Sequence, residues 1–341
     1  MKQKYNIIIS YQTEAKKDAM SELLIADGQA QLQTELSDEV ALIETALPFA
    51  KLASIFKKAK PIFIRHMQPV DVIVHLKGSE QDLIQINSHF FDILDKLERN
   101  NTFSVQTRVL RNEAFKPFDV NALLSQTAIN TGLTLDVSSP VQAVSVLIAE
   151  NVAYIGISLC KDNLSSWAGG RRRFAKEEGQ LSRAEFKLLE ALEYFAIDIP
   201  NGTIALDLGA APGGWSRVLL EKGALVTAVD PASLDKSIRF HENIKCLHAT
   251  AQDFIAQNEQ HFDLIVNDMR MDAIESARLI CSLHPFLREG GNIIMTLKLQ
   301  DKAMRSKALK AIKVLENVYT LIGARQLFHN RCEVTVVARK E

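Results

Sequence analysis

The 341-residue chain is long enough for about two domains of ~150 residues each. Hydrophobic residues make up 47% and charged residues 24%, with 15 Gly and 9 Pro, a balance that excludes a disordered or fibrous chain. The net charge of −1 excludes a globally basic nucleic-acid coat, though not a local basic patch.

The opening Met1-Lys2-Gln3-Lys4-Tyr5 lacks the apolar core of a signal peptide, and no apolar run approaches the ~20 residues that cross a bilayer. A cytoplasmic chain with no membrane partner is expected. Alternating or β-branched runs predict strands at 5–11, 61–65, 71–76, 102–109, 143–149 and 153–159. Helical spacing falls between them, over 14–26, 46–58, 80–100 and 119–131, the last with Asp119 as its N-cap behind Pro117. The runs 141–148 and 152–159, parted by Ala149-Glu150-Asn151, predict a hairpin. This half reads as α+β.

From Lys161 to Leu181 the periodicity stops and Gly, Ser and charge take over (KDNLSSWAGGRRRFAKEEGQL), which predicts a linker or functional loop. Helix 182–195 opens on a capping box, Ser182-Arg183-Ala184-Glu185, with Ser at the N-cap. Strands and helices then alternate: strand 203–208, a helix from Gly214, strand 225–230, a helical stretch, strand 244–248, a helix, strand 262–268, helix 274–287, strand 292–297 and helix 302–318. Strands 322–329 and 333–339 close the chain. Alternation implies a parallel sheet with right-handed crossovers. A closing hairpin suits methyltransferases better than nucleotide dehydrogenases. Cys160, Cys246, Cys281 and Cys332 are scattered, with no C-x-x-C and no zinc spacing, so they read as reduced cytosolic thiols without a structural metal.

The chemistry gathers in this second half. Asp207-Leu208-Gly209-Ala210-Ala211-Pro212-Gly213-Gly214-Trp215 stands where the first strand hands over to a helix. Glycines there let a ligand approach the backbone, at the sheet edge where α/β proteins bind ligands; a plain tight turn is the alternative. The spacing is not G-x-G-x-x-G, which disfavours a pyrophosphate cradle. Asp230 ends the second strand, placed for the two hydroxyls of a ribose, and Asp253 follows the third, placed for the amine of an adenine. The three elements together predict a nucleoside-type cofactor.

The segment DLGAAPGGWS closely resembles the S-adenosylmethionine loop of FtsJ-like (RrmJ-type) ribose 2'-O-methyltransferases. That resemblance implies a Rossmann-like class I methyltransferase domain, α/β with a seven-stranded sheet whose last strand is antiparallel. It implies S-adenosylmethionine as cofactor, bound by residues 207 and 209–215 with Asp230, Asp253 and Asp268, and it calls for no metal. It also implies a Lys-Asp-Lys-Glu set. SRAEFKL supplies Lys187, VNDM supplies Asp268, TLKL supplies Lys298 and RCEVTVV supplies Glu333. Lysines on helices are usually solvated and an Asp after a strand is often a cap. Lys298 and Glu333, however, stand at the ends of apolar strand runs, where charges beside a cofactor loop are more often functional than not. A ribose hydroxyl has a pKa far above neutrality, so transfer needs a base or a stabiliser of the alkoxide. Lys298 is expected as the base, its pKa lowered by burial and a neighbouring lysine, with Lys187 stabilising the 2'-oxygen and the carboxylates holding both. Coupled groups share their titration, so membership of the set is firmer than the choice of base.

Residues 103–159 resemble a THUMP RNA-binding domain, most closely in the final strand–turn–strand. The order THUMP then FtsJ-like domain resembles RlmM-type enzymes, which 2'-O-methylate a cytidine of 23S ribosomal RNA. The Trp in SSWAGG, the segment TLKLQDK and the ending ARQLFHNRCEVTVVARK add to that likeness. The implied layout is a ferredoxin-like subdomain over 1–80, THUMP over 81–162, a basic interdomain loop over 163–181 and the methyltransferase domain over 182–341. RNA is the implied partner: 23S rRNA or a precursor, or alternatively tRNA, whose acceptor end THUMP modules often engage. Arg171, Arg172 and Arg173 with Lys176, flanked by Trp167 and Phe174, predict an RNA-gripping loop of charge plus stacking. Lys57, Lys58, Lys60 and Arg65 form a second cluster, and Lys302, Arg305, Lys307, Lys310 and Lys313 a third, along the last helix. A base-amine methyltransferase would show N/D-P-P-Y where this chain has Asn267-Asp268-Met269-Arg270, and a base-carbon enzyme needs a nucleophilic Cys where Cys281 sits mid-helix. A non-catalytic RNA-binding or assembly protein is disfavoured by the intact four-residue set.

Overall fold

The structure, a computed structural model, describes residues 3–79, 81–111, 114, 116–175, 179–299 and 303–341. Met1, Lys2, Glu80, Lys176, Gln300, Asp301 and Lys302, named above, lie outside the described residues. The chain divides into two compact units, Met1–Arg172 and Arg173–Glu341.

In the first unit, β1 (Tyr5–Ser10), α1 (Lys16–Ala26), β2 (Gln31–Ser37), β3 (Val40–Thr45), α2 (Phe49–Ala59) and β4 (His66–Val70) build an antiparallel sheet of order β2-β3-β1-β4. Next come β5 (Val72–His75), α3 (Gln81–Phe91), β6 (Phe103–Arg111), α4 (Pro117–Asn130), β7 (Gln142–Ala149) and β8 (Val152–Leu159), whose sheet has the order β5-β8-β7-β6. Because β5 pairs with β8, this second sheet begins well before residue 80. Ile8, Val40, Leu147 and Tyr154 pack in one cluster and join the two sheets.

Several local expectations give way for physical reasons. Residues 61–65 form no strand: the buried Glu22 carboxylate accepts the N–H groups of Ile62, Phe63 and Ile64, so those donors need no ladder, and β4 starts at His66. The hairpin β2–β3 was invisible to periodicity, because β2 is an exposed edge with polar residues on both faces. Asp119 is not the N-cap. It sits at N3 of α4 and accepts the N–H of Lys116, while Pro117 occupies the first turn. The helix over 80–100 ends at Phe91, with a short 3-10 turn at Leu94–Lys96. Arg65 is only 4% exposed, so it belongs to no surface patch.

In the second unit, α5 (Ala184–Tyr194), β9 (Ile204–Leu208), α6 (Gly214–Glu221), β10 (Leu225–Val229), β11 (Ile244–Leu247), α7 (Ala251–Gln257), β12 (Phe262–Asn267), α8 (Ala273–Ser282), β13 (Leu287–Lys298), α9 (Met304–Leu315), β14 (Thr320–Arg325) and β15 (Glu333–Arg339) follow in turn. The sheet order is β11-β10-β9-β12-β13-β15-β14. All seven strands are parallel except β15, which is antiparallel to both its neighbours. This is the expected seven-stranded arrangement with an antiparallel last strand. The stretch 231–243 carries turns instead of the expected helix, α8 stops at Ser282, and β14 ends at Arg325 instead of His329. Beyond β14, the N–H groups of Phe328 and His329 are taken by the buried Glu190 carboxylate and that of Leu327 by Asn330, which ends the ladder. The capping box is shifted by one: Arg183 is the N-cap, while Ser182 Oγ accepts from Ala184 and Glu185 accepts from Leu181 and Ser182. Strand order reverses between β9 and β12, and a crevice opens at the carboxyl ends of strands on either side of such a switch point. Among the described residues, no helix is long and apolar enough to cross a membrane.

Candidate active site

A cavity of about 720 Å³ lies at that switch point, within the ~300–1,000 Å³ of small-molecule sites. Its back wall is the turn from β9 into α6. Gly209 has φ +71° and Gly213 φ +117°, conformations that L side chains rarely adopt. A Cβ on Gly209 would meet Met269 Cγ at 2.3 Å, one on Gly213 would meet Ile238 Cδ1 at 2.2 Å, and one on Gly214 would meet Ser182 Oγ at 2.5 Å. Packing therefore favours glycine at all three positions, and backbone conformation does so at Gly209 and Gly213. Trp215 is buried and donates its indole N–H to the carbonyl of Ala184, which ties α6 to the start of α5. The Ala211–Pro212 peptide is cis.

Asp230, at the end of β10, accepts the N–H of Ala211 (3.1 Å) with one oxygen and that of Ala232 (2.7 Å) with the other. Its carboxylate is thereby fixed on the cavity wall. Asp207 is 1% exposed and accepts from Ser216 Oγ at 2.7 Å. Burial pushes its carboxyl up to about 7; the Ser216 bond opposes this and the Asp268 and Asp230 charges add to it. Asp253 does not join these groups. It sits exposed in the first turn of α7, where its carboxylate accepts from Thr250 Oγ1 at 2.6 Å in a capping exchange. The wall at that level is Ala249 and Ala251. A residue three places into a helix behind Thr250 is claimed by the cap first.

Lys187, Asp268, Lys298 and Glu333 converge. Lys187 Nζ lies 3.2 Å from Asp268 and 2.7 Å from Glu333, and Lys298 Nζ lies 2.5 Å from Asp268 and 2.9 Å from Glu333. Each cation touches both anions. Four elements make this possible: α5 carries Lys187, Asp268 follows directly on β12, and the antiparallel pair β13–β15 places Lys298 directly opposite Glu333. The four side chains are 10–17% exposed. Burial raises the pKa of Asp268, but Lys298 and Lys187 outweigh it and hold the carboxyl below its usual range. Burial likewise lowers Lys298, and here Asp268 and Glu333 win, so its pKa lies above the ordinary value. The expectation of a lysine depressed toward neutrality is therefore not met. Two carboxylates at under 3 Å dominate the field of the second ammonium.

Sequence reading missed Thr296. It is 1% exposed and its Oγ1 donates at 2.5 Å to the same Asp268 oxygen that Lys298 holds. Ile294, Thr296 and Lys298 share one face of β13, so a hydroxyl two places before the lysine, inside an apolar strand, was the available signal. Beside Lys187, Phe186 stacks on Phe174 (5.6 Å, 12°) and His329 tilts against both rings.

The basic segments fare unevenly. Arg172 lies over the Trp167 ring at 4.2 Å, and Trp167 is 40% exposed. Arg171 and Arg172 are half-buried and Arg173 is exposed. On α9, Lys307 pairs with Asp272 at 2.8 Å.

The fold and the site at its switch point define a class I methyltransferase domain. Residues 180–318 match the FtsJ-like methyltransferase family. The chain is 30% identical over 203 residues to the ribosomal RNA large subunit methyltransferase M of Psychromonas ingrahamii, a match covering 55% of this chain and 54% of that one. It is 29% identical over 222 residues to the same-named protein of Cellvibrio japonicus, covering 61% and 62%. The chain thus spans little more than half the length of these curated relatives. The crystal structure of TrmN from Thermus thermophilus aligns over 99% of this chain and 100% of that one, at 15% identity and a TM-score of 0.41.

Proposed function

We propose that this chain transfers a methyl group from S-adenosylmethionine to a ribose 2'-hydroxyl of RNA, a cytidine of 23S ribosomal RNA being the target. The observation that carries the reading is the four-membered ion cluster at the mouth of the glycine-loop cavity, in which each lysine touches both carboxylates. The cavity suits an adenosyl cofactor: Asp230 offers a fixed carboxylate, and the 209–214 turn offers backbone at close approach. When bound, the cofactor supplies an electrophilic methyl group on a sulfonium.

The chain's own residues do the rest. Lys187 and Lys298 are donors converging on one spot, which binds the 2'-oxygen and stabilises negative charge as it develops. Asp268 and Glu333 keep the two ammonium groups together against their mutual repulsion. Thr296 fixes the Asp268 oxygen that both lysines use. Lys298 accepts the hydroxyl proton only from its minor, neutral state, because its pKa is raised. Positioning of the hydroxyl in line with the methyl group carries much of the rate.

The first unit, with its two α+β sheets, is read as the ferredoxin-like and THUMP region that grips RNA, with Trp167, Arg171 and Arg172 on its trailing segment and Arg173 directly after it. A cytoplasmic location goes with this reading, supported by four cysteines that are all unpaired. Ribose-methylation mapping of total RNA from cells with and without the gene tests the proposal. Loss of one 23S cytidine methyl group is the expected result. Loss confined to tRNA would transfer the enzyme to tRNA, and no change in any RNA would leave a non-catalytic RNA-binding protein.

A further inference from the structure

Two arginines that the proposed chemistry does not use stand on the wall of the cavity. Arg183 is the N-cap of α5, one helical turn before Lys187 and on the same face. Arg270 follows Asp268 by two residues, in the loop after β12. Both are exposed, and among the described residues neither makes an ion pair or a hydrogen bond. That is unexpected in a cavity with four carboxylates, until the carboxylates are followed. Asp268 and Glu333 are held by the two lysines, Asp230 by two backbone N–H groups, and Asp207 by Ser216. Every anion of the site is already engaged: the two lysines neutralise Asp268 and Glu333, and neutral donors hold Asp230 and Asp207. The guanidinium charges are left for a ligand.

We propose that Arg183 and Arg270 form a phosphate clamp that grips the RNA backbone beside the target ribose, an inference that rests on the RNA-methylating reading above. A guanidinium presents a planar fork that matches two oxygens of a phosphodiester. One arginine adjoins the element that carries Lys187 and the other the loop that carries Asp268. A phosphate held between them therefore delivers the neighbouring 2'-hydroxyl to the lysines. Being exposed, the pair can meet a strand arriving from solvent without rearrangement of the core.

The test uses the full chain and a short fluorescein-labelled single-stranded RNA. Arg183→Ala and Arg270→Ala are each expected to weaken RNA binding about tenfold. The double variant should also lower the slope of log affinity against log salt by about 0.7, the contribution of the one phosphate the pair shares on a single strand. Arg270→Lys should keep the slope and part of the affinity. Calorimetric affinity for S-adenosylmethionine should stay within twofold of the parent. Unchanged RNA affinity and slope in the double variant would overturn the clamp. So would loss of cofactor binding with RNA binding intact, which would give the arginines to the cofactor's carboxylate. Because the readout is binding, it stands apart from methylation mapping: a chain that grips RNA through these arginines yet methylates none would keep the clamp and lose the proposed reaction.

Discussion

Replacing Lys298 by Met removes one ammonium from a cluster in which two cations and two anions each make two short contacts. Asp268 and Glu333 would then share Lys187 alone, at 3.2 and 2.7 Å, with an uncompensated negative charge in a site only 10–17% exposed. Removing one partner of a buried pair typically costs ~3–5 kcal/mol. For a unit of this size, about 3 kcal/mol corresponds to a fall in melting midpoint of roughly 6–12 °C. Methyl transfer should fall by roughly 10²-fold or more, since both proton acceptance and alkoxide stabilisation are disturbed. Cofactor affinity should hold, because Asp230 and the glycine turn are untouched. The two losses can be separated. In the double variant Lys298→Met, Glu333→Gln the charge balances again, so the melting midpoint should recover by several degrees while transfer stays lost. Scanning calorimetry and single-turnover transfer to transcribed ribosomal RNA are the assays. Transfer within tenfold of the parent in the single variant, or recovered activity in the double, would refute the role given to Lys298.

Thr296→Val takes the hydroxyl donor from Asp268 at nearly constant volume; transfer should drop about tenfold with cofactor affinity unchanged, as single-turnover rates and calorimetry would show. If Lys298 accepts the proton, its raised pKa makes kcat/KM climb about tenfold per pH unit between pH 7 and 9, and a flat profile would leave it a donor only. The same shifts fix the pH dependence of stability. Lys298, raised on folding, contributes fully below ~10.4 and loses its contribution as pH rises through its folded value, whereas Asp268, lowered, contributes above ~3.9 and loses it as pH falls; the stability gap between parent and Lys298→Met, read by urea unfolding, should be level from pH 6 to 9. Gly209→Ala should cost ~1–3 kcal/mol and weaken cofactor binding, since φ +71° is strained for alanine and Met269 blocks its methyl; an unshifted urea midpoint would contradict this. Arg171→Ala, Arg172→Ala and Arg173→Ala together should weaken RNA binding and its salt slope while leaving cofactor affinity unchanged, measured by anisotropy against salt.

The alternation of strands and helices after residue 200, the glycine turn and the four charged positions could be read from the chain alone. The first two are local signals of periodicity and turn chemistry, and Lys298 and Glu333 stand out as charges at the ends of apolar strands, whereas Lys187 and Asp268 were read through the resemblance to FtsJ-like enzymes. Local signals failed where a distant group intervened. Glu22 took the N–H groups that would have made 61–65 a strand, and Glu190, 138 residues away in sequence from Phe328, cut β14 short. Asp253 was placed correctly along the chain, yet its cap on Thr250 turned it away from the cavity. The ionisation of Lys298 belonged wholly to the tertiary structure. Composition permits a neighbouring lysine to depress it, but only the packing of α5, β12, β13 and β15 decides that two carboxylates stand nearer, and distance in a low dielectric sets the sign. Thr296 became a partner of Asp268, and Arg183 and Arg270 became cations without an anion among the described residues, for the same reason. Which residue types are present is written in the sequence; which charges are left over is settled only when folding has paired the rest.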